Sequence, residues 1–226
     1  AVFNEASADV DFRVESDGNA NALFVEGSSG SVGIGTSSPN GNGILTLNTP
    51  ADNSAQIVFA ENDTAKWLIG HRHDGDYFRF YDLANSAERM RIDSSGSVGI
   101  GVVPESWTST RPALQIGTQS SLSSYNTDGR TLLSTNAYHD SVSNRWEYIA
   151  NDHAMQYEQY QGLHRFQVAP SGTADAAISW TTAMEIDKSG RVTMPLQPAF
   201  QVKKNAIQTN FATDTDVTVT WQTEIF

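Results

Sequence analysis

An all-β chain of short strands and hairpins, with no long helix, is the fold class this sequence predicts. Three observations predict it. A glycine-bearing turn-and-strand phrase recurs three times, the stretches between the copies alternate apolar and polar residues, and no long stretch carries helical periodicity.

The first copy of the phrase is Ser28-Ser29-Gly30-Ser31-Val32-Gly33-Ile34-Gly35, and the second is Ser94-Ser95-Gly96-Ser97-Val98-Gly99-Ile100-Gly101. A weaker third copy is Lys188-Ser189-Gly190-Arg191-Val192-Thr193-Met194. Each follows a short alternating strand (Leu23–Glu26, Met90–Asp93, Met184–Asp187) and each precedes a proline (Pro39, Pro104, Pro195). In the second copy Met90 and Ile92 share one face of their strand, and Arg91 and Asp93 share the other. Asp93-Ser94-Ser95-Gly96 reads as a tight turn, and Ser97–Gly101 as the return strand, with Val98 and Ile100 on one face. The turn before Gly30 is one residue longer.

The segments between the copies read as further strands: Gln56–Phe59, Lys66–Gly70 and Tyr77–Tyr81 in the first, then Trp146–Ile149, Met155–Gln159, His164–Val168 and Ile178–Trp180 in the second. Asn85–Met90 is expected to form at most a turn. Trp67–Gly70 and Trp146–Ile149 occupy matching places in two copies of one module. The expected organisation is residues 1–43 as a first hairpin repeat, 44–105 as a β-module ending in the second, 106–196 as a β-module ending in the third, and 197–226 as a different segment.

The chain of 226 residues carries 14 Lys+Arg against 26 Asp+Glu, a formal charge of −12. That balance argues against a nucleic-acid partner and against electrostatic membrane binding. No apolar run approaches the ~18 residues of a spanning helix, so membrane insertion is not expected. The absence of cysteine excludes disulfides, Cys-ligated zinc and a thiol nucleophile. The residues before Val10 show no secretory signal pattern.

A hairpin with so thin an apolar stripe is not stable alone in water. Copies of the chain around a three-fold axis give the stripe a partner. The expected axis residues are Val32, Ile34, Val98, Ile100 and Val192, with Gly99 and Gly101 allowing close approach. The sequence therefore predicts an elongated, repeat-built homotrimeric fibre, with a dimer as the alternative and a monomer not expected.

The phrase Glu88–Gly101 resembles the recurrent module of tailed-bacteriophage tail fibres and related virion appendages; Phe24–Pro39 and Thr173–Ser189 are similar to it. The resemblance implies an extracellular structural protein of the virion. Its partners would be other virion proteins and a host cell-surface receptor or glycan. Pro198–Val202 and Val217–Phe226 resemble the opening strands of a C1q/TNF-like head, a trimeric jelly roll, which implies that a receptor-contacting tip begins here. The alternatives are a tailspike-like polysaccharide depolymerase and a capsid-decorating spike.

Candidate sites are few. His71 and His73, at strand spacing, would bring six imidazoles to an axis in a trimer, but a solvated turn into Asp74-Gly75-Asp76 is the preferred reading, and no metal or other cofactor is expected. Asp74, Asp76, Asp9 and Asp11 lack the calcium-loop pattern. Glu147 and Glu158 are carboxylates that glycan hydrolysis could use, yet no cleft is marked, and the chain is not expected to be an enzyme. Aromatics such as Trp67, Tyr77, Phe80, Trp146 and Tyr157 are expected to pack rather than to stack on sugars.

Overall fold

The computed structural model describes residues 10–41 and 43–198, together with the backbone of 201–203 and 223–225. Among these residues the chain is all-β, with no helix. The first sheet has the order β1 (Phe12–Ser16), β2 (Asn19–Val25), β3 (Val32–Ile34) and β4 (Leu45–Leu47). Next come β5 (Gln56–Glu61), β6 (Thr64–Arg72), β7 (Tyr77–Asp82), β8 (Ala87–Ile92), β9 (Val98–Ile100), β10 (Ala113–Ile116), β11 (Ser120–Ser124) and β12 (Thr131–Thr135). A separate pair follows, β13 (Tyr138–His139) with β14 (Trp146–Glu147). Then come β15 (Ala154–Tyr160), β16 (Leu163–Ala169), β17 (Thr181–Ile186) and β18 (Val192–Thr193). Strands β5–β12 and β15–β18 form one 12-stranded sheet, in which β12 pairs with β15 and sequence neighbours pair elsewhere. The last pair is β19 (Gln201–Lys203) with β20 (Thr223–Ile225); the rest of the expected C1q-like segment lies outside the described residues.

The repeated hairpin folds for local reasons. In the second copy the Asp93 carboxylate accepts the Ser95 and Ser97 N–H groups at 2.9 and 2.8 Å, and Gly96 takes φ +88°. Asp187 does the same for Ser189 and Arg191 at 2.8 and 3.1 Å, with Gly190 at φ +78°. Ile92 lies opposite Val98, as Ile186 lies opposite Val192. In the first copy the longer turn closes on the Glu26 backbone, which accepts from Gly30 and donates to Ser31. The first two copies add a third strand that the sequence reading missed, because β4 runs parallel to β3 and β10 runs parallel to β9.

Other expectations need correction. Ile178–Trp180 is not a strand; its neighbour Ala177 makes a single bridge to Glu147. Asn85–Met90, read as a turn, contributes most of β8. The strand at Trp146 covers only two residues, and it pairs outside the main sheet. The strand beside β16 that corresponds to β6 is β15, so the match of Trp67 with Trp146 fails. Strands β1, β10, β11, β12 and β13 went unread; in Ser120–Ser124 a single Leu122 is too little apolar signal to mark a strand.

Candidate functional site

Period two gives the large sheet two faces, and their polarity is inverted. Along one row Phe78, Ile92, Val98, Leu114, Leu122, Leu133, Tyr157, Phe166 and Met184 lie opposite one another, strand by strand from β7 to β17. The neighbouring row continues this apolar face through Ile57, Ile69, Phe80, Met90, Ile100 and Ile116. Ile57, Phe78, Phe80, Ile92, Ile100, Ile116, Leu122, Leu133 and Phe166 are all exposed. Asp82, clamped by Arg89 at 2.6 Å and Asn85 at 2.8 Å, is the buried carboxylate on this face; Glu61, at the end of β5, shares the parity of Ile57 and is exposed.

The other face carries the row Gly70, Arg79, Arg91, Gly99, Gln115, Ser121, Ser134, Gln156 and Gln167. Of these Arg79, Gln115, Ser121, Ser134 and Gln156 are buried. Burial of polar groups requires partners, and many are present. Arg91 pairs with Glu88 and lies 3.8 Å over the Tyr77 ring. Arg165 bridges Glu158 and Glu185 at 2.9 Å each. Gln156 donates to Gln167 at 2.6 Å. Gln115 accepts from the Glu105 N–H at 2.9 Å and the Trp107 indole at 3.3 Å.

Over the later strands this polar face is roofed by connecting segments. Trp107 meets Tyr138 and Trp146 edge-on, at centroid distances of 6.3 Å each, and Trp146 meets Trp180 at 6.2 Å. The roof is held by buried polar links: the Tyr148 hydroxyl donates to the Pro170 carbonyl at 2.7 Å, and Asn136 holds Ala150 and His153. Over these later strands the chain thus covers its polar face with its own loops, while the apolar face is left open.

No family model, curated protein or solved structure matches the chain.

The residues expected at an axis all lie in the hairpins. Val98 and Ile100 are on the open apolar face; Val98 is half-buried and Ile100 is 41% exposed. Val32 and Ile34 occupy the equivalent places in the first sheet, with Ile34 39% exposed, and Val192 on the outer strand β18 is 56% exposed. The glycines serve another purpose than the one expected. A Cβ on Gly99 would meet the Val102 carbonyl at 2.2 Å and Pro104 at 2.8 Å, and one on Gly33 would meet the Thr36 carbonyl at 2.4 Å. Gly99 lies on the polar face and Gly33 lies opposite the buried Phe24 in the first sheet; at each, the crossover to the parallel strand passes close over the backbone. Gly101 takes φ +67° with open space around it, so it is a turn residue.

The remaining candidates fall into local structure. His71 is the penultimate residue of β6 and bonds Asp76 at 2.9 Å, whereas His73 lies in the turn beyond and contacts Ser54 at 3.3 Å. Arg72 holds Asp74 through two bonds, 2.8 and 2.6 Å, which lowers the Asp74 pKa below the usual carboxylate range. Asp11 accepts the Gly27 N–H at 3.0 Å, and Asp9 lies outside the described residues. Among the described residues no three His, Asp or Glu side chains are grouped to hold a metal. Burial pushes Glu147 up, but bonds from Ser143, Arg145 and Tyr138 outweigh it and hold the carboxyl below its usual range. Glu158 is paired with Arg130 and Arg165. Both carboxylates are members of ion-pair networks. The sequence could not reveal the inverted polarity, because alternation defines two faces without saying which one the loops cover.

Proposed function

We propose that the chain is a structural segment of a bacteriophage tail fibre or related virion appendage, acting as a homotrimeric shaft that presents a receptor-binding tip. The observation that carries this reading is the open apolar face of the 12-stranded sheet. Monomeric proteins in water rarely leave contiguous apolar patches of more than a few hundred Å², and each large side chain on such a face gains roughly 1.5–3 kcal/mol on burial. At strand spacing, the face extends on the order of 50 Å. Two further copies, placed about an axis along that face, cover it with like surfaces, as closed symmetry requires.

In this reading the shaft works mechanically. It holds a tip away from the particle, and three tips on one rod raise avidity for a host ligand without any new contact. The net charge of −12 keeps the outside soluble. The test is labelling of purified particles with an antibody against the chain. Label on tail appendages is expected; label on the capsid shell, or none on particles, would overturn the assignment.

A further inference from the structure

The two sheets each leave one edge open where the chain passes from one to the other. Among the described residues, β4 pairs only with β3, and β5 only with β6. Val32 N–H bonds to Ile44 O at 2.6 Å and Asn48 N–H to Ile34 O at 2.8 Å, so the even positions of β4 face β3. Leu45 and Leu47 therefore turn their N–H and C=O groups outward. In the second repeat the equivalent residues are Leu114 and Ile116, and there β11 takes the edge directly after a short turn. Nothing among the described residues does this for β4.

On β5, the Ala55 carbonyl accepts from His71 N–H at 2.9 Å, which sets the odd positions toward β6 and turns the backbone groups of Gln56 and Val58 outward. The strand is apolar on both faces from Ile57 to Ala60, with one charge, Glu61. Natural edge strands are usually guarded by lysine, proline or a bulge; β5 carries no lysine or proline, and the register shift at Phe59 and Ala60 places its extra residue, Lys66, on β6 and away from the free edge.

We propose that β4 of one copy adds in parallel to the free edge of β5 in the neighbouring copy. This rests on the homotrimer proposed above. Parity selects the direction. In a parallel pair the residue that bonds across lies opposite one that bonds away, so Leu45 faces Ile57 and Leu47 faces Phe59, all on apolar faces. Antiparallel pairing sets Leu45 and Leu47 against Gln56 and Val58, whose side chains are on the polar face. The length of the link selects a second copy. The chain's own parallel crossovers span residues 35–44 and 101–112, whereas residues 48–55 are fewer and are pinned at both ends by the Asn48 and Ala55 bonds. A parallel crossover ordinarily needs about a dozen residues or more.

The chain has no native cysteine, which makes cross-linking a clean test. The double variant Leu45→Cys/Ile57→Cys is oxidised under native conditions and run on a non-reducing denaturing gel. A covalent species of three chains is expected; either single variant links two chains at most. Leu45→Cys/Phe59→Cys and Leu47→Cys/Ile57→Cys cover the adjacent registers. A cross-link confined to one chain, or none in any register in a sample whose native mass is three chains, overturns the strand addition and leaves the homotrimer standing. A native mass of one chain overturns both.

Discussion

Arg79 is 8% exposed while Phe80, the next residue on the same strand, is 38% exposed. The guanidinium lies over the Tyr81 ring at 4.5 Å, on the side away from Phe80. A strand of a solitary domain would reverse these two exposures, since burial of an arginine costs far more than burial of a phenylalanine. The pair states in two residues what the whole sheet does.

A charge on the open face is expected to break the assembly. Ile100→Glu places three carboxylates where three apolar side chains are proposed to meet. Its sedimentation mass is predicted to fall from three chains to one. Val142→Glu, on an exposed loop off the sheet, is predicted to leave the mass unchanged.

The two glycines that flank Ile100 are predicted to respond differently. Gly99→Ala forces a Cβ into the Val102 backbone and Pro104, and overpacking of this kind costs about 1–3 kcal/mol. Gly101→Ala meets open space and carries only the left-handed backbone strain, about 1–2 kcal/mol. Thermal unfolding of the two variants gives the order; a larger loss for Gly101→Ala would contradict the placement of the crossover.

Trp107, almost fully buried and bonded to Gln115, anchors the roof over the polar face. Trp107→Ala is predicted to cost about 3–5 kcal/mol, as for other buried large-to-small changes. Denaturant unfolding measures it, and a loss under 1 kcal/mol would show that the roof does not hold there.

His139 gives the roof a pH dependence. Burial, aided by Arg111, lowers its pKa to about 4 from 6.5. Between these values the unfolded chain binds the proton and the folded chain does not, so stability rises with pH across that window. Stability is therefore predicted to be full above about pH 6.5 and to fall as pH drops toward 4. His139→Phe keeps a ring against Trp146 and is predicted to flatten this slope in thermal unfolding between pH 4 and 7.

Much of the fold was legible. The alternation in Tyr77–Tyr81 and His164–Val168 and the Asp-Ser-Ser-Gly turn each specify a local geometry that tertiary packing did not override. Harder to read were strands with little apolar content, such as Ser120–Ser124, whose role is to present Ser121 and Ser123 to a buried polar face. The apolar side chains of the candidate face were legible as one side of each strand. Their joining into one continuous surface was not, because it depends on the register of strands as distant in sequence as β12 and β15. Gly99 was visible as a close-approach residue, but the approaching backbone is its own chain's crossover.

Sedimentation equilibrium of the intact chain tests the central claim most directly. Three chains of 24.6 kDa in one particle, independent of loading concentration, is the predicted result. A single species of 24.6 kDa would mean that the apolar face stays wet in water, and would contradict the account.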